Sequence, residues 1–411
     1  MKKMPKKIPL VLILLASCVC NLFAQNSPPA DFLQQRGDEL FMDGKPFREI
    51  SFNKFELVLQ LLADQEGRKG FGSQPGLAAE KSLRELSECG FKTIRTFAFC
   101  GSGSVFFDPV RKQKYMAALD KALDLCDQYE LRVVFCLNVT ETHFWMSQNE
   151  TLLDLVTNAQ SKSRQMAEQM VREIVTKYKH RKTIAAWENE NELLLMAGIG
   201  GVTKTWNGMK IPTLPEVAQF HREMAEFIKK IDPLHLVTTG DSYRESTWHL
   251  WKAPLREVKN GWGKDSPEQL AEAVGMAQQG VDLYCIHYYL NEQSHQQVMF
   301  LKDWKSVAKK KGKPLYVGEL GVLAKSKKDT NFWKKNPDWF ESYTGEGRQN
   351  TQKYLKILMD EVVESKADLV HWWTFQSDRD MDQNDPQRFD ISPDWTPELF
   401  QIIVDANRKL Q

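Results

Sequence analysis

Eight short apolar runs, each followed by a longer stretch with helical spacing, narrow most sharply what this chain can fold into. They span 47–52, 93–97, 132–137, 184–188, 236–239, 283–287, 315–317 and 369–373. Strand-like and helix-like patterns in strict alternation predict a parallel sheet covered by helices, the α/β class. Eight such repeats are the count of a (β/α)8 TIM barrel folded as a single domain. The clearest helices are predicted over 76–89, 113–129, 161–178, 214–231, 267–279, 295–310 and 347–365. Within the third, Met166, Met170, Ile174 and Val175 recur at intervals of three and four. Gly90, Gly280 and Gly312, the last followed by Pro314, mark helix ends. The long irregular stretches (54–74, 191–212, 240–266, 323–344 and 376–397) follow strands. In a barrel of this kind that is the face where binding and catalysis are carried out.

The N-terminus is read as a processing segment. Lys2, Lys3, Lys6 and Lys7 form a basic patch ahead of a short apolar run from Leu10 to Ala16, too short to span a bilayer. Cleavage after Ala24 makes residues 1–24 a signal peptide; the competing reading is a lipobox ending in Cys18, which would carry a lipid anchor. Either reading takes the protein out of the cytoplasm, secreted or periplasmic in the first case and attached to a bacterial membrane in the second. Residues 25–40 read as an N-terminal extension and 41–411 as the barrel. A formal net charge of +1 over 411 residues argues against nucleic acid or an anionic membrane as partner. After removal of the leader, Cys89, Cys100, Cys126, Cys136 and Cys285 remain. An odd number leaves at least one thiol free, and their apolar settings make them small hydrophobes rather than zinc ligands.

Two of the strands end in glutamates. The run at 184–188 leads into Trp187-Glu188-Asn189-Glu190-Asn191-Glu192, and the run at 315–317 into Gly318-Glu319-Leu320-Gly321. Two carboxylates on strand ends of one barrel are what retaining glycoside hydrolysis requires. One protonates the leaving oxygen, and the other attacks the anomeric carbon, the two carboxyls lying about 5–5.5 Å apart. If the alternation of strand side chains continues, Glu188 points into the barrel and needs a cation, for which Arg95 is the candidate. Glu190 is the carboxylate most easily mistaken for the acid. A Glu188/Glu190/Glu192 metal cluster lacks nearby histidines, so neither a metal nor another cofactor is expected. The acidic stretch Asp378, Asp380, Asp382, Asp385 lacks EF-hand spacing and reads as a solvated loop.

Taken together and in this order, the Trp-Glu-x-x-Asn-Glu and Gly-Glu-x-Gly stretches resemble glycoside hydrolase family 5, and the likeness covers essentially the whole mature chain. The resemblance implies Glu192 as acid/base, Glu319 as nucleophile, and Asn191 as a hydrogen-bond partner of the sugar 2-hydroxyl. It implies that Arg95 orients the nucleophile, that Tyr289 of His287-Tyr288-Tyr289 bonds it, and that Trp373 floors the −1 sugar subsite, with Trp372 in the core. Ile94-Arg95-Thr96-Phe97-Ala98-Phe99 is similar to a stretch of the family's β-mannanases. That makes β-mannan the leading substrate and Asn138 a candidate contact, although Asn138-Val139-Thr140 stands where those enzymes have Asn-Asn-Trp. A β-glucanase or an exo-β-glycosidase of the same family is the alternative. A non-catalytic carbohydrate-binding barrel is the alternative of another class. Trp145, Trp206, Trp248, Trp251, Trp262, Trp333 and Trp339 are candidate sugar platforms.

Overall fold

The structure, a computed structural model, describes residues 29–68, 74–98, 104–140, 144–199, 205–206, 208–252, 264–291, 298–323, 346–375, 391–394 and 396–411. The leader with Cys18, Cys100, Trp262, Trp333, Trp339 and the acidic stretch 378–385 lie outside the described residues. So does the start of the helix expected from 295. Among the described residues, no helix is long and apolar enough to cross a membrane.

The expected barrel is formed. Its strands are β1 (Glu49–Asn53), β2 (Thr93–Phe97), β3 (Arg132–Cys136), β4 (Ile184–Glu188), β5 (Leu236–Thr238), β6 (Tyr284–Asn291), β7 (Leu315–Leu323) and β8 (Leu369–Trp372). Neighbours in sequence pair in parallel from β1 to β5 and from β6 to β8, and β8 pairs back with β1. The remaining seam is bridged at its foot: Val237 N–H donates to the Asp282 carboxylate and Asp282 N–H to Val237 O, each at 2.8 Å. Outward-facing residues such as Phe135, Trp187, Ile286 and Val317 pack under the helix layer. Helices end where expected to within a few residues, and Leu214–Ile231 matches throughout. The helix expected from 295 begins at Leu301.

Three local readings change. The stretch expected to be irregular after β1 contains the helix Leu57–Glu66, which has no side-chain cap at its start. Most of its residues are buried, so no polar stripe marks the period. Phe47 does not belong to β1. It ends a three-stranded antiparallel meander (Gln34–Arg36, Glu39–Met42, Lys45–Phe47), and the boundary expected between 40 and 41 falls inside its second strand. Leu33, Leu40 and Met42 pack against the inward residues Val134, Ala186, Leu236, Cys285, Tyr316 and Leu369, forming a floor under the barrel.

The third change is in β7, which continues through Glu319 to Leu323. Its pairing slips by one residue against both neighbours: Ile286 lies opposite Val317 but His287 opposite Glu319, and Val370 opposite Val317 but Trp372 opposite Leu320. One extra residue, Gly318, is thus a bulge. Were Gly318 an ordinary strand position, Tyr316 inward and Val317 outward would leave Glu319 facing the helices. With it, Glu319 turns into the barrel and Leu320 packs outside.

Candidate active site

Arg95, fully buried on β2, organises the upper end of the barrel. Its Nε and Nη2 hold Glu188, the closest contact being 2.6 Å. Nη1 donates to Asn53 Oδ1 at 3.0 Å and to Glu319 Oε1 at 2.8 Å, and Nη2 also donates to Asn191 Oδ1 at 2.8 Å. All five N–H donors are therefore used, and one cation faces two carboxylates. Glu188 is the inward carboxylate that the alternation predicted, with Arg95 as its cation. Asn53 was not legible from sequence. Its amide nitrogen donates to Gly318 O at 2.9 Å, so it fixes the bulge and the guanidinium together.

Glu319 is 4% exposed and accepts a second bond, at 2.6 Å, from the Tyr289 hydroxyl. His287 lies between the two carboxylates of interest. Its Nδ1 is 2.9 Å from Glu192 Oε1 and 3.5 Å from Glu319 Oε2. The motif glycines make room for these rings, since a Cβ on Gly318 would sit 2.9 Å from His287 Nε2 and one on Gly321 2.6 Å from Tyr289. Glu192, Glu319 and His287 each offer an atom within 4.8 Å of the others. That spacing also suits a cation, but the Arg95 charge beside Glu319 opposes one there.

Burial works against charge on all three groups, and the neighbours decide the outcome. Burial alone would lower His287, yet the Glu319 and Glu192 carboxylates beside it push it up to about 10. Burial raises Glu192 less than the His287 bond and charge lower it, so its carboxyl lies below the ordinary value. Burial pushes Glu319 up against the His287 charge, with Glu192 adding to the rise. The trio's proton thus rests on the imidazole, one hydrogen bond from Glu192.

Glu192 has a left-handed backbone, φ 59°, a conformation uncommon for a residue with a side chain. Glu190, two residues earlier, is buried and takes bonds from the backbone N–H and hydroxyl of Thr140, the latter at 2.6 Å. It pins the loop after β4 to the loop after β3. Asn138, also left-handed at φ 53°, is fully buried at the end of β3 and is not among the Arg95 partners.

Trp373 is partly exposed and stacks on Phe55 at 4.8 Å, with Phe97 alongside, while Trp372 is core. Phe55 was missed because it lies just past a strand end, where alternation stops. Of the candidate platforms, Trp145 is buried, and Trp248 and Trp251 are half-buried. Cys89, Cys126, Cys136 and Cys285 are free thiols, the last three buried.

Known proteins resemble this chain in sequence and in fold. A rice protein, mannan endo-1,4-beta-mannosidase 8, is 27% identical over 335 residues, covering 73% of this chain and 82% of its own. The structure of a glycoside hydrolase family 5 mannosidase from Rhizomucor miehei superposes with a TM-score of 0.63 at 16% identity, covering 93% of this chain and 98% of that one. An endo-1,4-beta-mannanase from the same fungus gives 0.60 at 16% identity, covering 92% and 99%. At such identities these structures speak for the fold. Residues 44–374 match the family described as cellulase (glycosyl hydrolase family 5), and the chain, a glycoside hydrolase, belongs to that family.

Proposed function

We propose that the enzyme is a retaining β-glycoside hydrolase acting on β-mannan, with Glu319 as nucleophile and Glu192 as acid/base. The observation that carries this reading is the close approach of two carboxylates with different supports. Glu319 is clamped by Arg95 and Tyr289 in the barrel mouth, and Glu192 faces it across His287. Atoms of the two lie within 4.8 Å, closer than the separation of about 6.5–9.5 Å that an inverting enzyme uses.

In the first step a Glu319 oxygen bonds to the anomeric carbon as the glycosidic C–O bond breaks, and the leaving oxygen takes a proton from Glu192. Protonated His287 with ionised Glu192, and neutral His287 with protonated Glu192, differ only in where one shared proton sits. The imidazole therefore supplies the acid through one short transfer. In the second step Glu192, now ionised, takes a proton from water, the water oxygen bonds to the anomeric carbon, and the Glu319 ester breaks. Two inversions give net retention. Arg95 occupies the Asn191 oxygen, which leaves the amide nitrogen as the end to meet a sugar hydroxyl. Trp373 and Phe55 offer the apolar face against which a pyranose stacks.

The mannan preference is supported by the curated rice relative and by the sequence around Arg95. An exo-acting β-mannosidase is the second reading, in keeping with the likeness in fold to an exo-beta-1,4-mannosidase from an Opitutaceae bacterium (TM-score 0.54, 15% identity). The test is product analysis on β-mannan, glucomannan, cellulose and mixed-linkage β-glucan, with Glu319→Ala in parallel and NMR of the first-formed anomer. Release of the β-anomer from mannan, absent in the variant, is expected. An α-anomer as first product would sink the retaining mechanism, and binding without turnover would point to a carbohydrate-binding barrel. Export is part of the proposal. The mature N-terminus of the native protein is expected at Gln25, whereas a lipid on Cys18 would establish membrane anchoring instead.

A further inference from the structure

The segment carrying Glu192 is held from one side by consecutive residues of the loop after β5. Glu192 N–H donates to Gly240 O at 3.0 Å, and Leu194 N–H donates to Asp241 Oδ1 at 2.9 Å. Ser242 adds to the lowering of the Glu192 carboxyl, and Arg244 Nε donates to Leu195 O at 3.1 Å. The two segments are therefore clasped together between 192 and 195. Such a clasp meets a specific need, because the left-handed backbone at Glu192 is a strained state that persists only when its surroundings over-determine it.

Asp241 is the part of the clasp that the rest of the fold has invested in. Its side chain is 1% exposed, and a carboxylate buried that deeply needs a partner. His221, fully buried on the helix Leu214–Ile231, brings Nε2 to 2.8 Å from Asp241 Oδ2, an ion-pair distance at which the two atoms are not aligned as a hydrogen bond. The backbone of His221 in turn accepts from the Asn189 amide at 3.3 Å, which returns to the same β4 loop. A closed circuit thus runs from β4 through the helix to the β5 loop and back to the residue after next from Glu192.

We propose that Asp241, packed beside His221 and bonded to Leu194 N–H, is a positioning residue for the acid/base. It fixes the turn that aims the Glu192 carboxyl at the leaving oxygen. This rests on the reading of Glu192 as acid/base. Asp241 touches neither substrate nor Glu319, so its loss affects proton donation and leaves nucleophilic attack intact.

Leaving-group dependence separates this role from general loosening. Asp241→Ala is assayed on an unactivated oligosaccharide and on the 2,4-dinitrophenyl glycoside of the same sugar, whose leaving group departs without a proton. The expected result is a fall in kcat/KM of about 30-fold or more on the oligosaccharide and of no more than about threefold on the dinitrophenyl glycoside. Asp241→Asn, which keeps an acceptor of the same shape facing Leu194 N–H, should recover most of the loss. Equal losses on both substrates, or no loss on either, overturn the proposal. Should Asp241→Ala not fold, half-exposed Arg244→Met breaks the outer bond of the clasp and is expected to show the same asymmetry at smaller amplitude. Glu192→Ala, run alongside, must show the asymmetry in its strongest form. If it loses both substrates equally, the reading of Glu192 as acid fails, and the positioning role falls with it.

Discussion

One imidazole touches both carboxylates of the site: Nδ1 of His287 stands 2.9 Å from Glu192 and 3.5 Å from Glu319. With His287 pushed up to about 10, the trio keeps its proton through neutral pH and loses it only as pH rises through that value. His287→Gln leaves the proton on a carboxyl alone. The alkaline limb of kcat/KM is then expected to move to lower pH by at least about one unit. A pH–rate series of both proteins checks this, and an unmoved limb would mean that the imidazole does not hold the proton.

Arg95 offsets two carboxylates, so its removal strands both. Arg95→Leu is expected to cost about 3–5 kcal/mol. Adding Glu188→Gln should return part of that loss by neutralising the deeper charge. Urea unfolding of the single and double variants measures it, and a double variant less stable than the single would refute the pairing as the cause.

Gly240 is the tightest backbone approach in the site. A Cβ there would lie 1.9 Å from Glu190 O, and its φ of +76° already disfavours a side chain. Gly240→Ala therefore has to move the segment that carries Glu192. A displacement of that kind is worth about 100-fold in kcat. Steady-state kinetics with a near-UV circular dichroism check of the fold would show it, and wild-type kcat would count against the tight packing.

Thr140 and Glu190 make the opposite case, a carboxylate near the chemistry that does none of it. Glu190→Gln keeps an acceptor for Thr140 and is expected to retain activity within about tenfold, while Glu192→Gln loses far more on unactivated substrate. Comparable losses in the two would reopen the assignment of the acid.

At the other end of the barrel, burial raises the Glu49 carboxyl to about 7, against bonds from Thr93 and the backbone N–H of Lys92. The folded state thus binds this proton more tightly than the unfolded chain. The stabilisation is complete below the ordinary carboxylate value and is lost as pH rises towards 7. Across that window it amounts to roughly 3 kcal/mol. Glu49→Gln removes the titration, so its stability relative to wild type should improve by that order between about pH 4.5 and 7. Denaturant midpoints across pH test the sign, and a constant difference between the proteins would rule the titration out.

Much of this was legible in the chain because period-two alternation and the barrel count are local signals. They placed all eight strands, and alternation alone sent Glu188 inward to Arg95. Side chains named by family resemblance (Glu192, Glu319, His287, Tyr289) do converge. What escaped depends on contacts distant in sequence. Nothing local says that Gly318 is a bulge, yet with Gly318 in the regular pleat Glu319 would face the wrong side. Asn53 reads as a strand end until Arg95 and Gly318 are both beside it. Asp241 looks like an ordinary loop aspartate, and only the packing of β4 on β5 brings it to Leu194. Helix Leu57–Glu66 was hidden for the reverse reason, because burial on most faces erases the stripe that spacing rules look for.

The floor under the barrel imposes an order on its assembly. Leu33 and Leu40 precede the first barrel strand in sequence, yet they share one apolar cluster with Leu369 of β8. Contacts of such long sequence separation form late, so the foot of the barrel is expected to close late in folding. Until then the interior carrying Glu49, Glu188 and Arg95 stays open to water from below, and its ion pair acquires full strength only when the two ends of the chain meet.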